Sequence, residues 1–208
     1  MCYWNWWPRN YSDDQCNENS LAALADGRVI SVFRMGAGDG RYVLKDLLGR
    51  APTSQEAFRY YSKSFSTSQG RSWSVPEAMT GVGCAFPQLL SLGASGPLLL
   101  GGGRMRNANT SDVLLWVSAA GDGARWSAHS ISSQHNRLMP PEKRFDSSVN
   151  KSGAYPTFGD PRETSSYTSL LRVGDSSAII FYDRRRGPPS YGSDGSVVYA
   201  MRVDFVRE

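Results

Sequence analysis

The sequence predicts an all-β protein, and three observations point to that class. Its 21 glycines and 11 prolines are interspersed with many serines along all 208 residues, a distribution that favours frequent turns. No window carries a long apolar repeat of helical period. Pairs of strand-length apolar runs recur around short turns bearing glycine or aspartate. With 40% hydrophobic residues, a chain of this length can bury a sizeable core, and a single domain over 1–208 is expected.

Three segments share one plan: an apolar run, a polar or glycine turn, a second apolar run and an arginine. They are "NSLAALADGRVISVFR" ending at Arg34, "PQLLSLGASGPLLLGGGR" ending at Arg104 and "YTSLLRVGDSSAIIFYDR" ending at Arg184. Each reads as a β-hairpin, because "ADG", "ASG" and "GDSS" supply residues that tolerate tight-turn conformations. In the first and third the second run is β-branched or aromatic (Val29, Ile30, Val32, Phe33; Ile179, Ile180, Phe181, Tyr182), which fits a pleated, half-buried surface.

A further pair of strands follows each of the first two hairpins, in "FRYYSKSFSTSQGRSWSVP" and "DVLLWVSAAGDGARWSAHSI", and one last strand, "GSVVYAMRVDFVRE", follows the third. Both pairs turn through a polar or glycine-bearing segment that ends in tryptophan, Trp73 and Trp126. Their spacing is close to the period of roughly 40–50 residues per four-stranded unit that marks a propeller blade. The expected architecture is therefore an incomplete β-propeller of about four blades, each with four antiparallel strands.

A hairpin returns its two ends to one edge of the sheet, so residues equidistant from the turn become neighbours. Glu18 and Arg34 are equidistant from Asp26, and Tyr167 and Asp183 from Asp175. Glu18, Arg34, Arg104, Tyr167 and Asp183 should thus rim one face of the propeller, with the Trp-capped turns on the other. Residues 133–166 are too long for an ordinary connection and are expected to form a loop bordering the same face as Tyr167.

Other signals exclude function classes. The net charge is +4 and the basic residues are scattered, so nucleic acid is not an expected partner. The run Arg184, Arg185, Arg186 reads as a solvated strand end. Cys2, Cys16 and Cys84 have no metal-ligand spacing, and no metal or other cofactor is expected. His129 and His135 have no triad or metal spacing and read as exposed or loosely packed. "GGGR" at 101–104 lacks the Gly-Lys-Ser/Thr of a phosphate loop. No apolar run is long enough to span a membrane, and "MCYWNWWPRN" lacks the basic start and apolar centre of a signal peptide. The tryptophans of that segment read either as a sugar-stacking platform or as core surface beside a neighbouring blade.

Ser66, Gly70, Ser72 and Trp73 match the Asp-box (BNR) pattern S-x-D-x-G-x-[ST]-W, with Ser68 in place of the aspartate; Ser118, Gly123 and Trp126 form a looser copy. "SSYTSLL" before "IIFYD" resembles the sialidase segment that carries the nucleophilic tyrosine. The chain from about residue 17 to 205 is similar to the later part of a six-bladed sialidase, with the motifs in the same order. The resemblance implies Tyr167 as nucleophile and Glu18 as its base. It implies Arg34 and Arg104, with Arg106 the alternative to Arg104, as carboxylate-binding arginines, and Asp183 in the position of the acid that supports a further arginine. The first triad arginine and the acid/base aspartate of the family have no match in this chain.

The chemistry suits these residue types. Guanidinium groups hold a sialic acid carboxylate through paired, charge-assisted hydrogen bonds. That carboxylate would repel an anionic nucleophile, so a neutral phenol attacks instead, and a phenol of ordinary pKa, about 10, needs a nearby base. The implied partner is a sialylated glycan or another acidic sugar, and the implied settings are secreted or lysosomal. The alternative is a non-catalytic BNR-repeat glycan-binding or scaffold protein.

Overall fold

The computed structural model describes residues 16–35, 61–83, 85–103, 113–144, 167–184 and 197–206. They form three antiparallel sheets. The first blade comprises β1 (Cys16–Ala23), β2 (Val29–Met35), β3 (Tyr61–Ser66) and the short β4 (Glu77–Ala78), paired in that order. The second comprises β5 (Ala85–Ser91), β6 (Leu98–Gly103), β7 (Val113–Ser118) and β8 (Ser127–Ser130), again in order. The third has β9 (Thr168–Gly174), β10 (Ser177–Arg184) and β11 (Val197–Asp204), with β10 in the middle.

The first strand of each blade lies beside that of the next, β1 against β5 and β5 against β9. Sheets stacked face to face, with their first strands on one side, are the blades of a β-propeller, and among the described residues they do not close into a ring. Among the described residues three blades are seen; residues 36–60, between β2 and β3, and 185–196, between β10 and β11, lie outside them.

The hairpin registers follow the expected midpoints. In the first blade Ser20 pairs with Val32 and Ala23 with Val29, centring the turn on Asp26. In the third Ala178 pairs with Arg172 and Tyr182 with Thr168, centring it on Asp175. Asp26 closes the first turn, its carboxylate accepting from the Arg28 backbone amide at 3.0 Å and from Arg28 Nε at 2.7 Å.

Two apolar clusters hold the blades together. Ile30, Val32 and Tyr61 of the first blade meet Leu98, Leu100, Leu114 and Trp116 of the second. On the other face of the second blade Leu99, Val113, Leu115 and Val117 meet Ala178, Ile180 and Tyr182 of the third. The middle blade is buried on both sides, and β7 is buried at every position. Its strands therefore read as unbroken apolar runs, "LLL" and "VLLWV", where a half-solvated strand would alternate.

The Trp-capped turns lie at the end of the blades opposite Arg34 and Gly103, as the β2–β3 and β6–β7 registers require. In the first, Ser66 Oγ accepts from the Gly70 amide (2.8 Å) and Trp73 Nε1 donates to the Gly70 carbonyl (3.1 Å). The second repeats both bonds between Ser118, Gly123 and Trp126, at 3.2 and 3.1 Å. Ser68 does the work of the absent aspartate, accepting from the Ser72 amide at 2.8 Å. In the second turn Asp122 takes that part, accepting from the Ala124 amide at 2.9 Å. Lys63 crosses between blades to the Gly123 carbonyl at 3.0 Å.

The segment 133–166 is not simply a loop. It opens inside helix α1 (Ile131–Leu138), followed by a 3-10 turn at Pro141–Lys143; residues 145–166 lie outside the described set. Ser130 caps α1, its hydroxyl accepting from the Ser133 amide at 3.0 Å, a bond typical of this residue at a helix start. Ile131 and His135, four positions apart, face the core between the second and third blades. His135 is fully buried, correcting its reading as exposed or loose, while His129 is exposed.

Candidate functional site

The site lies where the first strands of the three blades begin. In β1 the pairing with β2 slips between Asn17 and Asn19, and the extra residue of this bulge is Glu18, at φ 45°. In β5 the pairing with β6 slips between Ala85 and Gln88, and Phe86 stands there at φ 54°. Left-handed backbone is rare outside glycine and asparagine. Two such residues in adjacent bulges mark this rim as a place where the chain re-aims its side chains.

The two bulges are tied together. The Phe86 amide donates to Glu18 Oε2 at 2.7 Å, and Arg34 Nε lies 2.8 Å from the same oxygen. Glu18 and Arg34 are largely buried, their side chains 20% and 16% exposed. One rung deeper the Leu89 amide donates to Ser20 Oγ at 2.9 Å, fixing β5 against β1.

From the third blade Tyr167 reaches the same place. It precedes β9 by one residue and packs edge-on against Phe86, with ring centroids 4.7 Å apart and planes at 89°. It is 57% exposed, so a phenol supported on one side faces solvent on the other.

Three of the sequence-predicted residues, Glu18, Arg34 and Tyr167, are thus gathered around Phe86. Asp183 is buried at the same end of the third blade, one position beyond the Tyr182–Thr168 rung. Arg104 and Arg106 lie outside the described residues, as do Arg185 and Arg186, Cys2 and Cys84, and the tryptophans of the first ten residues. Arg184 is half-buried on β10 rather than fully solvated. Phe86 was not singled out from sequence, although Pro87 beside it carried a signal: proline within a strand is confined to edges and bulges.

Among the described residues no group of three or more His, Cys, Asp or Glu is placed to hold a metal ion. No described helix is long and apolar enough to cross a membrane. This rim brings together the carboxylate and guanidinium of the Glu18–Arg34 pair and the phenol of Tyr167, with Asp183 buried at the same end of the third blade.

Fold and site together define a β-propeller with a polar site at the rim of its first strands. No family model matches the chain, and no curated protein does. Among solved structures it is similar to a protein of unknown function from Dyadobacter fermentans, with a TM-score of 0.55 and 13% identity over 92% of this chain and 39% of that one. It is also similar to an α-L-arabinanase from Penicillium chrysogenum complexed with arabinobiose (TM-score 0.48, 16% identity, 93% of this chain and 48% of that one). A third is the α-L-arabinofuranosidase Arb93A from Fusarium graminearum (TM-score 0.47, 11% identity, 91% and 45%). The chain spans less than half the length of each of these structures.

Proposed function

We propose that this chain carries the tyrosine–glutamate part of a sialidase-like glycoside hydrolase site, and that the complete protein removes terminal sialic acids, or a related acidic sugar, from glycoconjugates. The observation that carries the reading is the meeting of Glu18, Arg34 and Tyr167, contributed by two different blades, at one rim. Tyr167 Oη attacks the anomeric carbon, its proton passes to Glu18, and the guanidinium of Arg34, joined by Arg104 or Arg106, holds the sugar carboxylate. A general acid, for which this chain holds no family match, protonates the leaving oxygen; water then hydrolyses the sugar–tyrosine bond, and the phenol regains its proton from Glu18.

Both contacts of Glu18 among the described residues fall on Oε2. In this reading Oε2 is the anchored oxygen and Oε1 the one that takes the phenol's proton.

The test is turnover of a fluorogenic sialoside by the full-length protein. Tyr167→Phe keeps the ring and removes the nucleophile, and is expected to lower kcat by about 10³-fold or more. Wild-type turnover by that variant refutes the assignment. Sialoside binding without turnover in the wild-type protein assigns the site to glycan binding instead.

A further inference from the structure

Phe86 has no part in the family pattern, yet it touches both residues to which the chemistry is assigned. Its amide holds Glu18 at 2.7 Å and its ring holds Tyr167 at 4.7 Å between centroids. We propose that Phe86 is a positioning residue that sets the carboxylate of Glu18 and the phenol of Tyr167 relative to one another; the catalytic meaning of this arrangement rests on the function proposed above.

The backbone provides the first argument. Phe86 holds a left-handed conformation, φ 54°, that costs an L-residue energy and suits glycine. A bulky aromatic there needs a reason beyond turn formation, and the edge-on contact with Tyr167 supplies one. Such a contact has a preferred direction as well as an attraction, so it restricts the torsion of an otherwise half-exposed tyrosine.

The second argument is the hydrogen bond. A backbone amide cannot swing as a side chain does, and the bulge aims this one at the carboxylate of the neighbouring blade. Pro87, buried beside it, locks the bulge further. The ring acts on the nucleophile, the amide acts on the base, and one residue couples the two.

Phe86→Gly separates these actions, because glycine accepts the positive φ and keeps the amide while deleting the ring. With 3-fluorotyrosine incorporated, the Tyr167 fluorine resonance is assigned by its loss in Tyr167→Phe. In Phe86→Gly it is expected to shift by several tenths of a ppm, whereas Phe86→Tyr, which restores an aromatic edge, returns it towards the wild-type position. In the full-length protein Phe86→Gly is expected to lower kcat on the fluorogenic sialoside about tenfold or more with KM within about twofold, as misplacement of a reacting group does, and Phe86→Tyr recovers most of it.

An unchanged Tyr167 resonance, or wild-type kcat, in Phe86→Gly overturns the proposal. Should the glycine variant melt early, Phe86→Leu, which keeps apolar bulk without the aromatic edge, is read by the same two criteria. A wild-type protein inert towards sialosides, with the resonance shifted as expected, refutes the sialidase reading and leaves the positioning role standing.

Discussion

Replacing His135 by phenylalanine removes two hydrogen bonds from the junction between the second and third blades while keeping a ring in place. His135 Nδ1 lies 2.8 Å from the Tyr182 hydroxyl and Nε2 lies 2.8 Å from the Lys143 carbonyl. A carbonyl only accepts, so Nε2 carries the proton and Nδ1 accepts from Tyr182. The ring also meets Tyr182 and Tyr199 edge-on, at 5.7 and 4.6 Å between centroids. Lys143 is exposed and can turn its carbonyl to water, whereas Tyr182 is 2% exposed. The cost of His135→Phe is thus the loss of the buried bond to Tyr182 together with that to the Lys143 carbonyl, about 2–3 kcal/mol in all. For a protein of this size that lowers Tm by roughly 5–10 °C.

The pH dependence has a definite sign. Burial first, and the Arg184 guanidinium second, hold His135 below its ordinary value of 6.5, against a Lys143 carbonyl that favours the charged form. Below pH 6.5 the unfolded chain takes up a proton that the folded imidazole resists. Stability tied to neutral His135 is therefore complete above 6.5 and declines as pH falls below it. Wild type and His135→Phe, melted at pH 7.5, 6.5 and 5.5, should differ most at pH 7.5 and converge towards 5.5. The double variant His135→Phe/Tyr182→Phe should cost less than the two single changes together, since neither polar group remains. A gap of under about 1 °C at pH 7.5, or one that fails to narrow in acid, refutes the reasoning.

Two glycines in matching turns give a steric comparison. A Cβ at Gly123 (φ +69°) would lie 2.6 Å from Ile30 Cδ1, whereas at Gly70 (φ +85°) the nearest atom is 3.9 Å away, on Trp73. Gly70→Ala should cost only the backbone strain, about 1–2 kcal/mol, and Gly123→Ala about 1–3 kcal/mol more for overpacking; equal denaturation midpoints for the two variants would contradict the packing of the second turn on the first blade. The same turns differ in acid. The Ala124 amide, opposed by some burial and aided by Ser118, holds Asp122 below the usual carboxylate value, so its contribution is present above pH 4 and is lost as pH falls through the lowered value. Hydrogen exchange at Ala124 should accelerate at pH 3 relative to Ser72, whose acceptor Ser68 does not titrate, after correction for intrinsic rates; parallel behaviour of the two amides would count against this.

The hairpins and their registers were legible because turn chemistry and arginine placement repeat at fixed offsets, and Asp26 and Asp175 sit at the turns their spacing marks. The opposite placement of the Trp-capped turns follows from the same count. Helix α1 was not legible as such: "ISSQHNRL" is short and polar, and only Ser130 and the Ile131–His135 spacing signalled it. His135 looked like surface because its partners, Tyr182 and the Lys143 carbonyl, come from another blade and from a 3-10 turn. Phe86 escaped for a similar reason. A left-handed aromatic in a bulge has no sequence pattern, and its importance arises only when three strands meet.

The middle blade carries a consequence for how the molecule comes apart. Leu98 to Leu100 and Val113 to Val117 are hidden because a sheet lies against each face. Peel away either neighbour and a strand such as "VLLWV", uncharged, β-prone and free of proline, becomes an exposed template for amyloid-like association. A fragment missing either flanking blade should therefore be sticky in proportion to the leucines it uncovers. Selection against aggregation then ties the three blades to a common fate, because a partly opened intermediate would be hazardous as well as unstable.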